Sequence, residues 1–223
     1  MLLKAVFWDL DGTLIDSEPL WHDGEIEIAH NNGGEWDEDL GWACSGTPVP
    51  HVAEVMIEHG CTLSVPEIDK QLKDYVFNAE VERLPWIPGV LDVLRSLKDA
   101  GIPSMLVTTS PRRMAENIMK QSDGLFAGYV CGDDPYEHKP NPAPYLAAAE
   151  KLGIAPEGMD KCVVLEDSSV GLQAGAASGA TLIAQTGWIR TDTSGLGQFA
   201  SIDSYDGVDA AVLDGFVRQR LGE

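Results

Sequence analysis

Positive charge is scarce in this sequence. Fifteen Lys and Arg stand against 36 Asp and Glu in 223 residues, a formal net charge of −21. Such a surface repels polyanions, which excludes a broad nucleic-acid footprint and an anionic membrane surface as partners. An anionic small molecule needs local help from a cation or from backbone amides. The scarcity is sharpest between Lys4 and Lys70, where no Lys or Arg occurs. Long apolar runs are also missing, and none approaches the roughly 20 residues that cross a bilayer. The short start Met1–Val6 runs into acid and does not read as a signal peptide. Cysteine is sparse: Cys44, Cys61, Cys131 and Cys162 are scattered with no C-x-x-C pair, which suits reduced, mostly buried thiols in a protein expected to be cytoplasmic. There is no internal repeat and no low-complexity segment. An apolar share of 44% with 23% charged residues excludes a disordered or fibrous chain.

What is present is an alternation of strands and helices. Apolar runs at Leu3–Trp8, Ser104–Val107, Tyr129–Cys131, Cys162–Leu165 and Thr181–Ala184 read as buried strands. Val90, Leu94 and Leu97 share a helix face opened by Pro88 and closed near Gly101. Pro144–Leu152 and Val170–Ala177 read as further helices. This order predicts an α/β fold, a parallel Rossmann-like sheet with helices on both faces. Residues 16–83 break the pattern. No strand is convincing there, while Val49, Val52 and Met56 fit one helical face, and Ile68, Leu72, Tyr75 and Val76 another. The expected organisation is an α/β core of residues 1–15 and 84–223 carrying a helical insert, 16–83. Asn31–Gly34 reads as a loop within it.

The chemistry concentrates at predicted strand ends. The first strand runs into Asp9-Leu10-Asp11-Gly12-Thr13, two aspartates at i, i+2 before a glycine that permits a sharp turn. In an open parallel sheet, ligands bind outside the carboxyl ends of the strands. Taken alone, the segment is equally an Asp-rich turn capping a helix. Three later features change that balance. One strand ends in Thr108-Thr109-Ser110, another in Glu166-Asp167-Ser168, and His138-Lys139-Pro140 lies between them. Singly, Thr108 is a helix cap, Lys139 a surface lysine and the acid pair a solvated turn. Together they place two acid pairs, a hydroxyl and a lysine at one sheet edge. Like charges so gathered are costly unless a cation joins them, and oxygen donors suit a hard ion, magnesium being the expected one.

The order D-x-D-G-T, then T, then K-P, then E-D resembles the haloacid dehalogenase superfamily of phosphatases and phosphotransferases. The helical insert after the first strand is similar to the cap of its subfamily containing β-phosphoglucomutase, phosphoglycolate phosphatase and sugar-phosphate phosphatases. Asp16–Trp21, Lys139–Pro144 and Glu166–Gly171 match that subfamily, and the resemblance covers essentially the whole chain. It implies Asp9 as a nucleophile that forms an aspartyl-phosphate, and Asp11 as the acid that protonates the leaving oxygen and then activates water. It implies Thr108 as donor to the transferring phosphoryl oxygens and Lys139 as the balancing charge. Mg2+ would be held by Asp9, the Asp11 carbonyl and Asp167, with Glu166 bound directly or through water. Backbone N–H groups of Leu10, Asp11 and Thr109 would cradle the phosphate.

The implied activity is Mg2+-dependent hydrolysis of a small phosphomonoester, such as a sugar phosphate, by a protein expected to be monomeric. The alternatives are a phosphosugar mutase and a non-enzymatic phospho-accepting module. A carbon–halogen dehalogenase fits poorly, because such enzymes lack the second aspartate. Substrate choice falls to the cap, where Glu18 and Trp21 are candidates near its start, Trp21 reading more as packing. His22 and His51 read as surface residues. Ser45–Val49 is the cap loop where the mutase carries a phosphate-gripping arginine, and here Val49 stands at about that position. Arg112 and Arg113 read equally as anion contacts and as surface residues at a helix start.

Overall fold

The computed structural model of the chain describes residues 1–188 and 192–223. They form two compact units, Met1–Asp16 with Trp86–Glu223, and Ser17–Pro85. The first is a parallel six-stranded sheet in the order β3-β2-β1-β4-β5-β6. Its strands are β1 (Ala5–Trp8), β2 (Ser104–Val107), β3 (Gly128–Val130), β4 (Cys162–Glu166), β5 (Thr181–Gln185) and β6 (Ala200–Ile202). The helices around them are α5 (Val90–Asp99), α6 (Arg112–Gln121), α7 (Ala143–Lys151), α8 (Ser169–Ala177) and α9 (Ala210–Leu221). This is the doubly wound α/β order, in which the sheet reverses direction of growth beside its first strand.

The strands are mostly apolar because both sheet faces are covered. Every residue of β1, β2, β4 and β5 is buried. Successive side chains alternate between faces. Ala5 and Phe7 join Met105, Val107 and Val164 in a cluster with α7 and α8. Trp8 points the other way and meets Tyr205, ring centroids 6.0 Å apart.

Register then sets the site. Trp8 pairs with Leu106 on one side and Leu165 on the other. The residues that follow each strand therefore emerge side by side: Asp9 after β1, Thr108 after β2, Glu166 and Asp167 at the end of β4.

The second unit is helical, as its pattern predicts, and comprises α1 (Glu18–Asn31), α2 (Glu38–Cys44), α3 (Val49–Glu58) and α4 (Val65–Glu82). Val52, Met56, Ile68 and Leu72 share its apolar cluster with Trp36 and Cys44. All four cysteines are free and buried.

Some elements depart from the sequence expectation. The first strand starts at Ala5 rather than Leu3, and the third is Gly128–Val130 rather than Tyr129–Cys131. Helix α1 runs to Asn31, so the expected loop opens one residue later. Strand β6 and helices α1, α2, α6 and α9 lie outside the expected elements, although α6 buries an apolar face of Met114, Ala115 and Ile118 and α9 one of Ala210, Leu213 and Val217.

Candidate active site

The turn after β1 is built by its glycine. Gly12 has φ 78°, a left-handed conformation closed to most side chains. It lets the chain fold back so that the amides of Leu14 and Ile15 donate to the Leu10 carbonyl at 2.8 and 3.1 Å. Asp9 and Asp11 thus leave the sheet edge close together, with Leu10 buried between them.

Lys139 is the hub. Its ammonium donates to Asp9 Oδ1 at 2.5 Å, to Glu166 Oε1 at 2.6 Å and to the Val107 carbonyl at 2.9 Å. Its side chain is only 3% exposed. Burial works against the charge, but Asp9 and Glu166 outweigh it and hold the ammonium above the ordinary lysine range. Asp167 accepts from the Thr13 hydroxyl at 3.0 Å. Ser110 ties the remaining pair, its N–H donating to Thr108 Oγ1 at 3.0 Å and its hydroxyl to Asp11 Oδ2 at 3.2 Å. Thr109, the next residue along the same edge, is exposed.

Three carboxylates face this one ammonium. Oxygens of Asp9, Glu166 and Asp167 lie within 4.8 Å of one another. Burial, reinforced by Glu166, pushes the Asp9 carboxyl up to about 8 against the pull of Lys139. Asp167 is raised well above the usual carboxylate range by burial and then by Asp9 and Glu166. The buried acids are thus under-compensated, and an all-oxygen donor set of this kind fits a hard divalent cation.

Glu166 is engaged on both oxygens. Oε1 accepts from Lys139 and, at 2.7 Å, from the Tyr145 hydroxyl. Oε2 accepts from the amides of Asp167 and Ser168 at 3.0 and 3.2 Å and from the Ser168 hydroxyl at 3.1 Å. Ser168 also caps α8 by accepting from the Gly171 amide.

Motif reading missed Thr13, Ser110, Tyr145 and Ser168 as members of this network. Three of them adjoin motif residues in sequence, and Tyr145, six residues beyond Lys139, could have been found only by placing it on the first turn of α7.

Glu18 and Trp21 belong to the helical unit. Glu18 accepts from the Ser45 hydroxyl at 2.8 Å and lies 3.3 Å from His22 Nε2. Trp21 packs partly buried on that unit's apolar cluster, as does Val49. His22, expected at the surface, is buried with its ring edge-on to Trp42 at 4.6 Å. It has room there because Gly41 on α2 carries no side chain: a Cβ at that position would come within 2.9 Å of the ring. His51 is exposed, as expected. Arg112 is tied to Asp134 at 2.6 Å and lies over the Tyr129 ring, which favours its reading as a local tether.

These features match a known group. The profile of the haloacid dehalogenase-like hydrolases covers residues 3–179. The chain belongs to that family. Among haloacid dehalogenase-like proteins it is 31% identical over 183 residues to a phosphorylated carbohydrates phosphatase of Thermotoga maritima, covering 79% of this chain and 82% of that one. It is 30% identical to hexitol phosphatase A of Escherichia coli, covering 82% and 83%. CbbY of Rhodobacter sphaeroides, solved in complex with phosphate, superposes with a TM-score of 0.75 at 25% identity over 95% of this chain and 99% of that one. No helix among the described residues is long and apolar enough to cross a membrane.

Proposed function

We propose that this haloacid dehalogenase-like hydrolase cleaves the phosphate ester of a small sugar or polyol through an aspartyl-phosphate on Asp9. The observation that carries the reading is the Asp9 carboxylate, held by a buried lysine at the carboxyl edge of the sheet beside a second acid, Asp11. A carboxylate so fixed presents one oxygen for in-line attack on phosphorus.

In the first step the Asp9 oxygen bonds to phosphorus as the ester bond breaks, and Asp11 gives its proton to the leaving sugar oxygen. In the second, Asp11 takes a proton from water, the water oxygen bonds to phosphorus, and Asp9 is released with inorganic phosphate. Thr108 donates to the phosphoryl oxygens, and Lys139 holds Asp9 in position. Asp9, Asp167 and the Asp11 carbonyl would hold Mg2+, with Glu166 bound directly or through water. Bound there, Mg2+ offsets the repulsion between carboxylate and phosphate. Leu10 and Thr109 supply backbone amides to the phosphate. Choice of the carbon skeleton belongs to the inserted helices, where Glu18 and Trp21 are the candidate contacts.

The phosphatases among the relatives support a sugar or polyol ester. The rival is a phosphosugar mutase, which shares the core chemistry but needs a cationic grip on a second phosphate. The insert has no Lys or Arg before Lys70, and Val49, which opens α3, stands at about the position of the mutase's arginine, which favours water as the acceptor.

The test is phosphate release from hexose 1-phosphates and hexitol phosphates, with and without Mg2+. Metal-dependent release is expected, and Asp9→Asn should lower turnover by at least about a thousandfold while remaining folded. Accumulation of glucose 6-phosphate from glucose 1-phosphate without free phosphate would establish the mutase instead.

A further inference from the structure

Tyr145 lies below the reactive edge and touches it twice. It stands on the first turn of α7, fully buried, with its ring 6.5 Å from that of Phe7. The Lys139 ammonium sits over its ring, 5.2 Å from the centroid. Its hydroxyl donates to Glu166 Oε1, the same oxygen that accepts from Lys139.

The lysine has three N–H bonds and meets three acceptors, Asp9, Glu166 and the Val107 carbonyl. Its position is therefore set by where those acceptors stand. Val107 is backbone, and Asp9 is the reacting group. Glu166 is the adjustable member, and the fold leaves it no freedom. One oxygen is pinned by three donors from Asp167 and Ser168, the other by Lys139 and Tyr145. On its open flank, a Cβ at Gly171 would come within 1.8 Å of Oε1, so only glycine leaves room for the carboxylate.

The tyrosine hydroxyl finds its acceptor in Glu166 Oε1, 2.7 Å away. Without it, Oε1 would have the lysine as its main partner, and the carboxylate would draw the ammonium away from Asp9.

We propose that Tyr145 is a positioning residue of the reaction: by holding Glu166, it fixes Lys139 against Asp9. The proposal rests on the aspartyl-phosphate reading above. Tyr145 has no exposed surface and so acts on turnover, not on substrate binding.

The experiment uses the full chain. Tyr145→Phe keeps the ring, the packing on Phe7 and the face offered to Lys139, and removes only the hydroxyl. Expected is a fall in kcat of about tenfold, the size of one hydrogen bond to a charged group, with KM within twofold of wild type. In the Glu166→Gln background, Tyr145→Phe should cost nothing further, because the path runs through Glu166. A kcat within twofold of wild type, a loss confined to KM, or independent multiplicative losses in the double variant would each overturn the proposal.

A second measurement needs neither turnover nor this variant. In protein labelled at the tyrosine ζ carbon, the Tyr145 hydroxyl proton should exchange slowly, and its resonance should shift in Asp9→Asn, which alters the load on Lys139. A fast-exchanging proton, or one indifferent to Asp9→Asn, would refute the link even if Tyr145→Phe does not fold. Failure of the wild type to release phosphate would count against the hydrolase reading alone, since the resonance still reports on Tyr145.

Discussion

The two units bury acid in different ways. In the α/β unit, Asp9 and Glu166 are met by the ammonium of Lys139, a full opposite charge. In the helical unit, Glu25 on α1 is 4% exposed and is met at 3.1 Å by the indole N–H of Trp36, a neutral donor. Burial pushes the Glu25 carboxyl up to about 7, against the pull of that N–H and with a further push from Glu18. Yet Asp9, with its lysine, stands higher still, at about 8. A counter-ion therefore does not restore an ordinary acidity when two more carboxylates share the same pocket. The α/β unit is set up to gain from an added cation. The helical unit holds a carboxylic acid that is neutral in mildly acidic solution.

The largest expected break in this contrast is Lys139→Met. It strips the ammonium bonded to Asp9 and Glu166 and leaves those acids buried. Turnover should fall at least about a thousandfold, and stability at pH 8 by about 3 kcal/mol, the scale of a buried pair that loses one partner. Asp9 titrates at about 8 beside Lys139 and higher without it, so the stability loss should grow from pH 8 to pH 10. Thermal melts at the two pH values would show this, and an equal loss at both would mean that charge is not the cause.

Next is Gly171→Ala. Alanine normally favours a helix by up to about 1 kcal/mol over glycine. Here its Cβ collides with the Glu166 carboxylate, so the sign reverses. Destabilisation of about 2 kcal/mol and a kcat loss of about a hundredfold are expected from denaturant titration and steady-state kinetics. A variant more stable than wild type would show that Glu166 has another place to go.

The smallest effect belongs to the other unit. Between pH 4.5 and about 7 the folded chain keeps a proton on Glu25 that the unfolded chain releases. Stability from this group is therefore lost as pH rises through that window. Glu25→Gln keeps an acceptor for Trp36 and removes the titration. It should be more stable than wild type by on the order of 2 kcal/mol at pH 8, and equal to it near pH 4. An unchanged difference between melts at the two pH values would show that Glu25 is solvated.

The same contrast explains what the sequence made legible. Strands β1, β2, β4 and β5 are buried on both faces, so they appear as mainly apolar runs. The reactive residues follow them directly and appear as motifs. Strand β6 is three residues at the sheet edge with only partial burial, which leaves no run to see. Helix α1 hides for the opposite reason: the residues it buries include His22, Gly24 and Glu25. A pattern search for apolar spacing cannot find a helix whose inner face is polar. Helix α9 did carry a signal, Asp209 as its N-cap at 2.8 Å from the Val212 amide and Gly222 as its left-handed stop. Tyr145 was invisible because its part depends on α7 bringing it under Glu166, which no local spacing encodes.

The register of β1 has a consequence for how the molecule acquires its activity. The strand lies mid-sheet, and both of its neighbours come from far along the chain, β2 near residue 105 and β4 near residue 164. The reactive edge is thus a product of high-separation contacts, which form slowly because long loops must close first. The helical insert closes over shorter distances. During refolding, helix content should return before competence to trap phosphate, and a nascent chain halted before β4 emerges would hold Asp9 without Glu166 or Asp167 beside it.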